Sequence, residues 1–281
     1  MSEPTHSILQ RDIDFGMDAD IPRFWARGQC HQTRVMDALS IFFPEGERFF
    51  IESVRHYRDR VQPDEPLARE VRAFIGQEAM HGREHRAYNA RLESQGIPAA
   101  KLEQAVLKRL DMARKLLPPR NQLAITVCLE HFTAILAHQV LSEPEILRDC
   151  DPRMARLWRW HALEETEHKA VAFDVFTRAV PNGFLRYILR CLTMLQVSFF
   201  FTAFVWVYIF KLVAHDQQLT NLRGWGRALN YMFGFPGTFR RIFWDWAEWF
   251  KPGFHPWQHD NRGLLNEARV EFFDAKVVGA A

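Results

Sequence analysis

Cysteine is scarce and scattered in this chain. Cys30, Cys128, Cys150 and Cys191 form no C-x-x-C pair, which excludes a zinc knuckle or a dense disulfide framework and points to a reducing, cytoplasmic setting. Charge of one sign is missing too. The 36 Lys and Arg residues are interleaved with 34 Asp and Glu, for a formal net charge of +2, so no basic block marks a nucleic-acid partner. The first residues, with Glu3, His6, Arg11 and Asp12, lack the apolar core of a secretory signal. No strand-like alternation competes with the helical periodicity, so the expected class is all-α. What is present is 281 residues, 48% of them hydrophobic, enough to bury one large core or a bundle with an appended region.

The informative stretches are those where an apolar helical stripe is interrupted by ionisable groups. Leu157, His161, Glu165, His168, Ala172, Val175 and Ala179 share one helical face, and so do Phe74, Glu78, His81, His85, Tyr88 and Leu92. A carboxylate buried on such a face is normally paired, hydrogen-bonded or metal-bound. In Glu78-x-x-His81 and Glu165-x-x-His168 both donors converge from adjacent turns. Each pair is preceded, about one helix and a connection earlier, by a single glutamate, Glu47 or Glu130. One Glu-x-x-His is a weak signal. Two copies, each behind a lone Glu, reproduce the ligand order of ferritin-like carboxylate proteins, in which a four-helix bundle encloses a dinuclear metal site.

Pro44 predicts a helix start and a helix to about residue 60, with Ile51 and Val54 inward. Glu47 would then lie in the first turn, where it could simply complement the helix dipole. Further helices are expected at about 67–93, 100–117 (a short connector), 120–141 and 153–180. The implied organisation is an N-terminal segment 1–43, the metal-binding bundle 44–182, and an aromatic-rich helical region 183–281 packed on it. In that last region residues 191–210 carry no charge, and as a helix they would span about 30 Å. Thr193, Gln196, Ser198 and Thr202 favour a helix packed on the bundle or in a homodimer interface over a lone span, and leave a membrane-surface position open.

The segments Phe43-Pro44-Glu45-Gly46-Glu47-Arg48-Phe49-Phe50, Gln77-Glu78-x-x-His81, Glu130-His131-Phe132-Thr133-Ala134 and His161-Ala-Leu-Glu-Glu-Thr-Glu-His168 together resemble a bacterial family labelled predicted metal-dependent hydrolase, itself similar to the ferritin-like superfamily. The resemblance implies six ligands, Glu47, Glu78, His81, Glu130, Glu165 and His168, with the four glutamates as catalytic groups. It implies two metal ions, iron first, with manganese or zinc as alternatives. An added imidazole ligand is a feature of the arylamine-oxygenating branch, so His161 or His85 is either a further ligand or a hydrogen-bond partner of a ligating carboxylate. His131 falls on a neighbouring face, His138 reads as a core or surface residue, and Glu84 and Glu164 read as solvated or as partners of ligands.

The ligand pattern so implied is similar to that of di-iron oxygenases and oxidases. The expected function is O2-dependent oxidation of a hydrophobic small molecule, with O2 and an electron donor as partners. Hydrolysis by a metal-activated water and non-catalytic iron binding are the alternatives. The expected location is cytoplasmic, with a peripheral place at the inner membrane left open.

Overall fold

A computed structural model describes residues 8–18, 20–63 and 65–280. It is all-α apart from one short ribbon, in which β1 (Leu9–Asp12) pairs antiparallel with β2 (Lys276–Ala280) and joins distant parts of the chain. Helices α1 (Cys30–Arg55), α2 (Pro66–Ser94), α4 (Pro119–Ser142) and α5 (Pro152–His168) surround one axis, with α3 (Ala99–Leu116) linking the two helical pairs. Then come α6 (Val171–Ala179), the long α7 (Gly183–His215), α8 (Leu222–Phe233), the short α9 (Thr238–Arg241) and α10 (Phe243–Glu248), and α11 (Arg262–Glu271).

Local chemistry sets the boundaries. Pro66, Pro119 and Pro152 occupy first helical turns, where a missing N–H costs nothing. Asp151 caps α5 by accepting from Arg153 N and Met154 N. The end of α2 is a Schellman turn. Gly96 takes φ +79°, and Ile97 N donates to Leu92 O at 2.9 Å.

Two helical expectations need correction. The first helix begins at Cys30, not near Pro44, and ends at Arg55, so Pro44 lies inside it. An internal proline deprives the carbonyl four residues back of its donor, here Ser40 O. Asn89 Nδ2, from α2, donates to that carbonyl at 3.4 Å, and the helix continues through the proline. Glu47 is therefore far from the N-terminus, and the dipole explanation for it fails. The helix expected over 153–180 is interrupted at Lys169 and Ala170. There the Lys169 ammonium donates to His259 O at 2.7 Å and Asn261 Oδ1 at 2.8 Å. No local proline or glycine announces that break.

Helices α1, α2 and α4 each run apolar, ionisable, apolar, and α5 with α6 does the same. One apolar cluster holds Leu39, Tyr88, Leu92, Ala137, Val140, Leu157 and Trp160. The other holds Phe49, Phe50, Phe74, Leu123, Val127, Val171 and Val175. Glu47, Glu78 and Glu130 fall between the two clusters within α1, α2 and α4, and Glu165 falls between them across α5 and α6.

By length and composition α4 and α7 could each cross a membrane; α4's most apolar window is 61% buried and α7's 33%. The first is thus a core helix. On α7, Met194, Val197, Tyr208, Ile209 and Leu212 face the bundle, while Leu192, Leu195, Phe199 and Phe210 face outward.

Candidate metal centre

The structure gathers Glu47, Glu78, His81, Glu130, Glu165 and His168 into one fully enclosed cluster. Glu47, Glu78 and His81 offer donor atoms within 4.8 Å of one another, and so do Glu78, Glu130 and His168. Glu78 belongs to both sets. Glu165 also reaches both imidazoles, its Oε1 lying 3.5 Å from His81 Nδ1 and its Oε2 3.5 Å from His168 Nε2. The donor groups therefore overlap: Glu78 is common to these two, and His81, His161 and Glu165 form a further group of the same kind.

Whether such a set fits metal ions can be judged from its unused atoms. Both carboxylate oxygens of Glu47, Glu78 and Glu130, Oε2 of Glu165, and Nε2 of His168 are buried without a hydrogen-bond partner. Buried polar atoms rarely stay orphaned, and oxygen with neutral imidazole is the donor set that suits iron, manganese or zinc. Four carboxylates also balance two divalent cations, which removes the desolvation cost of a net charge in a dry core. Without cations the cluster is frustrated. Burial pushes Glu47 well above the usual carboxylate range against the pull of His81. Burial does the same to Glu130, reinforced by Glu78 and Glu165. Burial opposes charge on His81 as well, but Glu164 and Glu165 outweigh it and hold the ring up to about 10.

The groups behind the imidazoles fix their orientation. Gln77 spends its amide protons on Leu9 O at 3.0 Å and Glu167 Oε2 at 2.8 Å. Its Oε1, 2.8 Å from His168 Nδ1, is thus an acceptor, so Nδ1 carries a proton and Nε2, facing the cluster, is the nitrogen that offers a lone pair when the ring is neutral; without cations Glu165 and Glu78 outweigh burial and hold this ring well above its ordinary range. On the other ring, His81 Nε2 faces Glu164 Oε2 at 3.2 Å and Nδ1 faces the cluster. Arg11 ties both supports together, pairing with Glu164 at 3.1 Å and Glu167 at 2.8 Å.

His161 and His85 form a second line. His161 Nε2 lies 3.0 Å from Glu165 Oε1, and its Nδ1 lies 2.7 Å from His85 Nε2. His85 Nδ1 meets Ser40 Oγ at 2.9 Å, and Ser40 donates to Asn89 Oδ1 at 3.0 Å. Burial and neighbouring His81 press His161 down to about 4, so the ring is neutral.

A family model described as "Predicted metal-dependent hydrolase" matches residues 9–260. The chain belongs to that family. No curated protein and no solved structure matches it. For this member of the predicted metal-dependent hydrolases, metal dependence and the enclosed donor cluster agree.

The remaining ionisable residues singled out by their sequence position lie elsewhere or support the cluster from behind. His131 Nε2 donates to Asp245 O at 3.2 Å and packs on Trp249. His138 packs edge-on against His259. Glu84 pairs with Arg83 beside it. Glu164 is fully buried and serves His81 rather than solvent. Arg11, Ser40, Asn89 and Glu167 join the site without having stood out in the sequence. The run Glu164-Glu165-x-Glu167 is a visible signal for one of them, because three carboxylates on a buried helix demand partners.

A cavity of about 520 Å³ reaches the cluster at Glu165 and His161, and its walls are almost entirely apolar, including Phe42, Phe43, Leu129, Phe132 and Phe201.

Proposed function

We propose that Glu47, Glu78, His81, Glu130, Glu165 and His168 hold two metal ions, iron first, and that the protein oxidises a hydrophobic small molecule with O2 and an external electron donor. The observation that carries this reading is the apolar cavity ending on a buried, carboxylate-rich donor cluster. When bound, two such ions supply redox chemistry and open positions for small oxygen ligands. The chain's own part is to present neutral imidazole lone pairs, balance charge with four carboxylates, and admit a substrate while the cavity walls exclude water.

A second reading, hydrolysis by a metal-activated water, is the one the family's description favours. That description carries nothing for the oxidative one.

The test separates them. Protein loaded with ferrous iron without air, then given O2 and reductant, should consume O2 beyond the amount needed to oxidise its iron. Cleavage of p-nitrophenyl laurate by the zinc-loaded protein under strict anaerobiosis, with no O2 uptake by the iron form, would replace oxidation with hydrolysis. Glu165→Ala and His168→Ala should each lose bound metal while keeping helical circular dichroism. Retention of two ions per chain by either would overturn the ligand assignment.

A further inference from the structure

The cavity has an inner end and a mouth. His161 and Glu165 are 3% and 2% exposed at the inner end. Met112 of α3 and Phe200 of α7 line the same cavity at 57% and 54% exposure, which places the opening between those two helices. Among the lining residues at that opening is one cation, Arg109 of α3. Its guanidinium lies over the Phe204 ring at 4.1 Å, and Nη1 donates to the Tyr208 hydroxyl at 2.9 Å. That hydroxyl in turn donates to Leu102 O at 2.8 Å. Among the described residues Arg109 has no carboxylate partner. A stacked, half-buried guanidinium bonded only to a neutral phenol retains donors for a planar anion.

We propose that the cavity binds a single-chain amphiphile with an anionic head, the head held by Arg109 at the α3–α7 mouth and the alkyl chain directed inward toward Glu165 and His161. This rests on the proposed function only in naming what that site acts on. The binding itself needs no metal. The chain portion suits walls that offer almost no hydrogen-bonding groups along their length. The head suits an arginine fixed by a ring stack and a phenol, because little side-chain freedom remains to be lost on binding.

Isothermal titration of the metal-free full chain with dodecanoate, dodecyl phosphate and dodecanol tests this. Dodecanoate should bind at least about tenfold more tightly than dodecanol, the scale of a charge-assisted hydrogen bond. Arg109→Gln should erase that difference and leave dodecanol affinity unchanged. Ala137→Phe, which fills the cavity wall, should weaken all three ligands, with circular dichroism confirming the fold. The phosphate arm reports the head: preference over dodecanoate makes it a phosphate site, still on Arg109. Equal binding of acid and alcohol to the unaltered protein, or unchanged dodecanoate affinity in Arg109→Gln, would overturn the proposal. Neither outcome would bear on metal content or O2 uptake, which fail independently.

Discussion

His161 Nε2 lies 3.0 Å from Glu165 Oε1, and the groups behind the ring decide what stands between them. Asn89 donates through Nδ2 to Glu103 Oε2 at 3.0 Å and to Ser40 O at 3.4 Å, so its Oδ1 receives the Ser40 proton. Ser40 then accepts from His85 Nδ1, His85 Nε2 accepts from His161 Nδ1, and His161 is left with a lone pair on Nε2. Two acceptors at this separation need a proton or a cation between them. Cis ligands about 2.1 Å from one ion stand roughly 3 Å apart.

The first prediction follows from that polarity. His161→Ala should lower affinity for one of two cobalt ions by tenfold or more and change the visible cobalt spectrum. Ser40→Ala, which acts only through the imidazoles, should keep both ions with a loss within the roughly 10- to 100-fold of outer partners. An unchanged spectrum and affinity in His161→Ala would show that the ring merely hydrogen-bonds to Glu165.

Arg11→Met should destabilise the protein by about 1.5–3 kcal/mol, the scale of a hydrogen bond to a charged group, because it removes the buried guanidinium shared by Glu164 and Glu167 and leaves Glu167 with Arg269 and Gln77 and Glu164 with His81. Urea unfolding measures this. A change below about 1 kcal/mol, the value of an exposed pair, would contradict the buried bridge.

Acid should weaken the metal-free fold through histidines outside the cluster. Burial presses His131 down to about 3 and His138 down to about 4. The unfolded chain takes up these protons from about pH 6.5 downward, while the folded chain stays unprotonated there until about pH 4 and 3. Stability therefore falls as pH drops through that window, by at most about 1.4 kcal/mol per pH unit for each such histidine. His131→Phe should flatten the slope between pH 6 and 4.5 in unfolding titrations. An identical slope would assign the acid sensitivity to other groups.

The outward face of α7 leaves Leu192, Leu195 and Phe199 uncovered, and exposed apolar residues on one helix face suit contact with a membrane or a partner. The protein should sediment with anionic vesicles and be released by alkaline washing, as a surface-bound helix is. Replacing those three residues with serine should abolish sedimentation. Retention after the wash would indicate insertion, and a stable dimer that ignores vesicles would identify a second copy as the cover.

The class and the six-donor cluster were legible because period and chemistry disagree at Glu78, His81, Glu165 and His168: a helical face that must be buried carries groups that resist burial. The start of α1 was misread. Pro44 is a sound local signal for a helix start, and what overrides it is a hydrogen bond between Asn89 and Ser40, 49 residues apart in sequence. Val35, Met36, Leu39, Phe42 and Phe43 already carried helical spacing upstream. Arg11 was invisible for the same reason, since its carboxylate partners lie 153 and 156 residues on. The break after His168 depends on Lys169 reaching the C-terminal segment, which no local pattern encodes.

Asn89 thus has two tasks in one amide. It supplies the donor that Pro44 lacks, and it sets the direction of every proton from Ser40 to His161. A non-proline residue at 44 would bring its own amide hydrogen to Ser40 O, and Asn89 would then compete with it for that carbonyl while its Oδ1 still faced the serine hydroxyl. Positions 40, 44, 85, 89 and 161 are in this sense one connected chain, in which a change at one position is felt as a change of proton placement at the next.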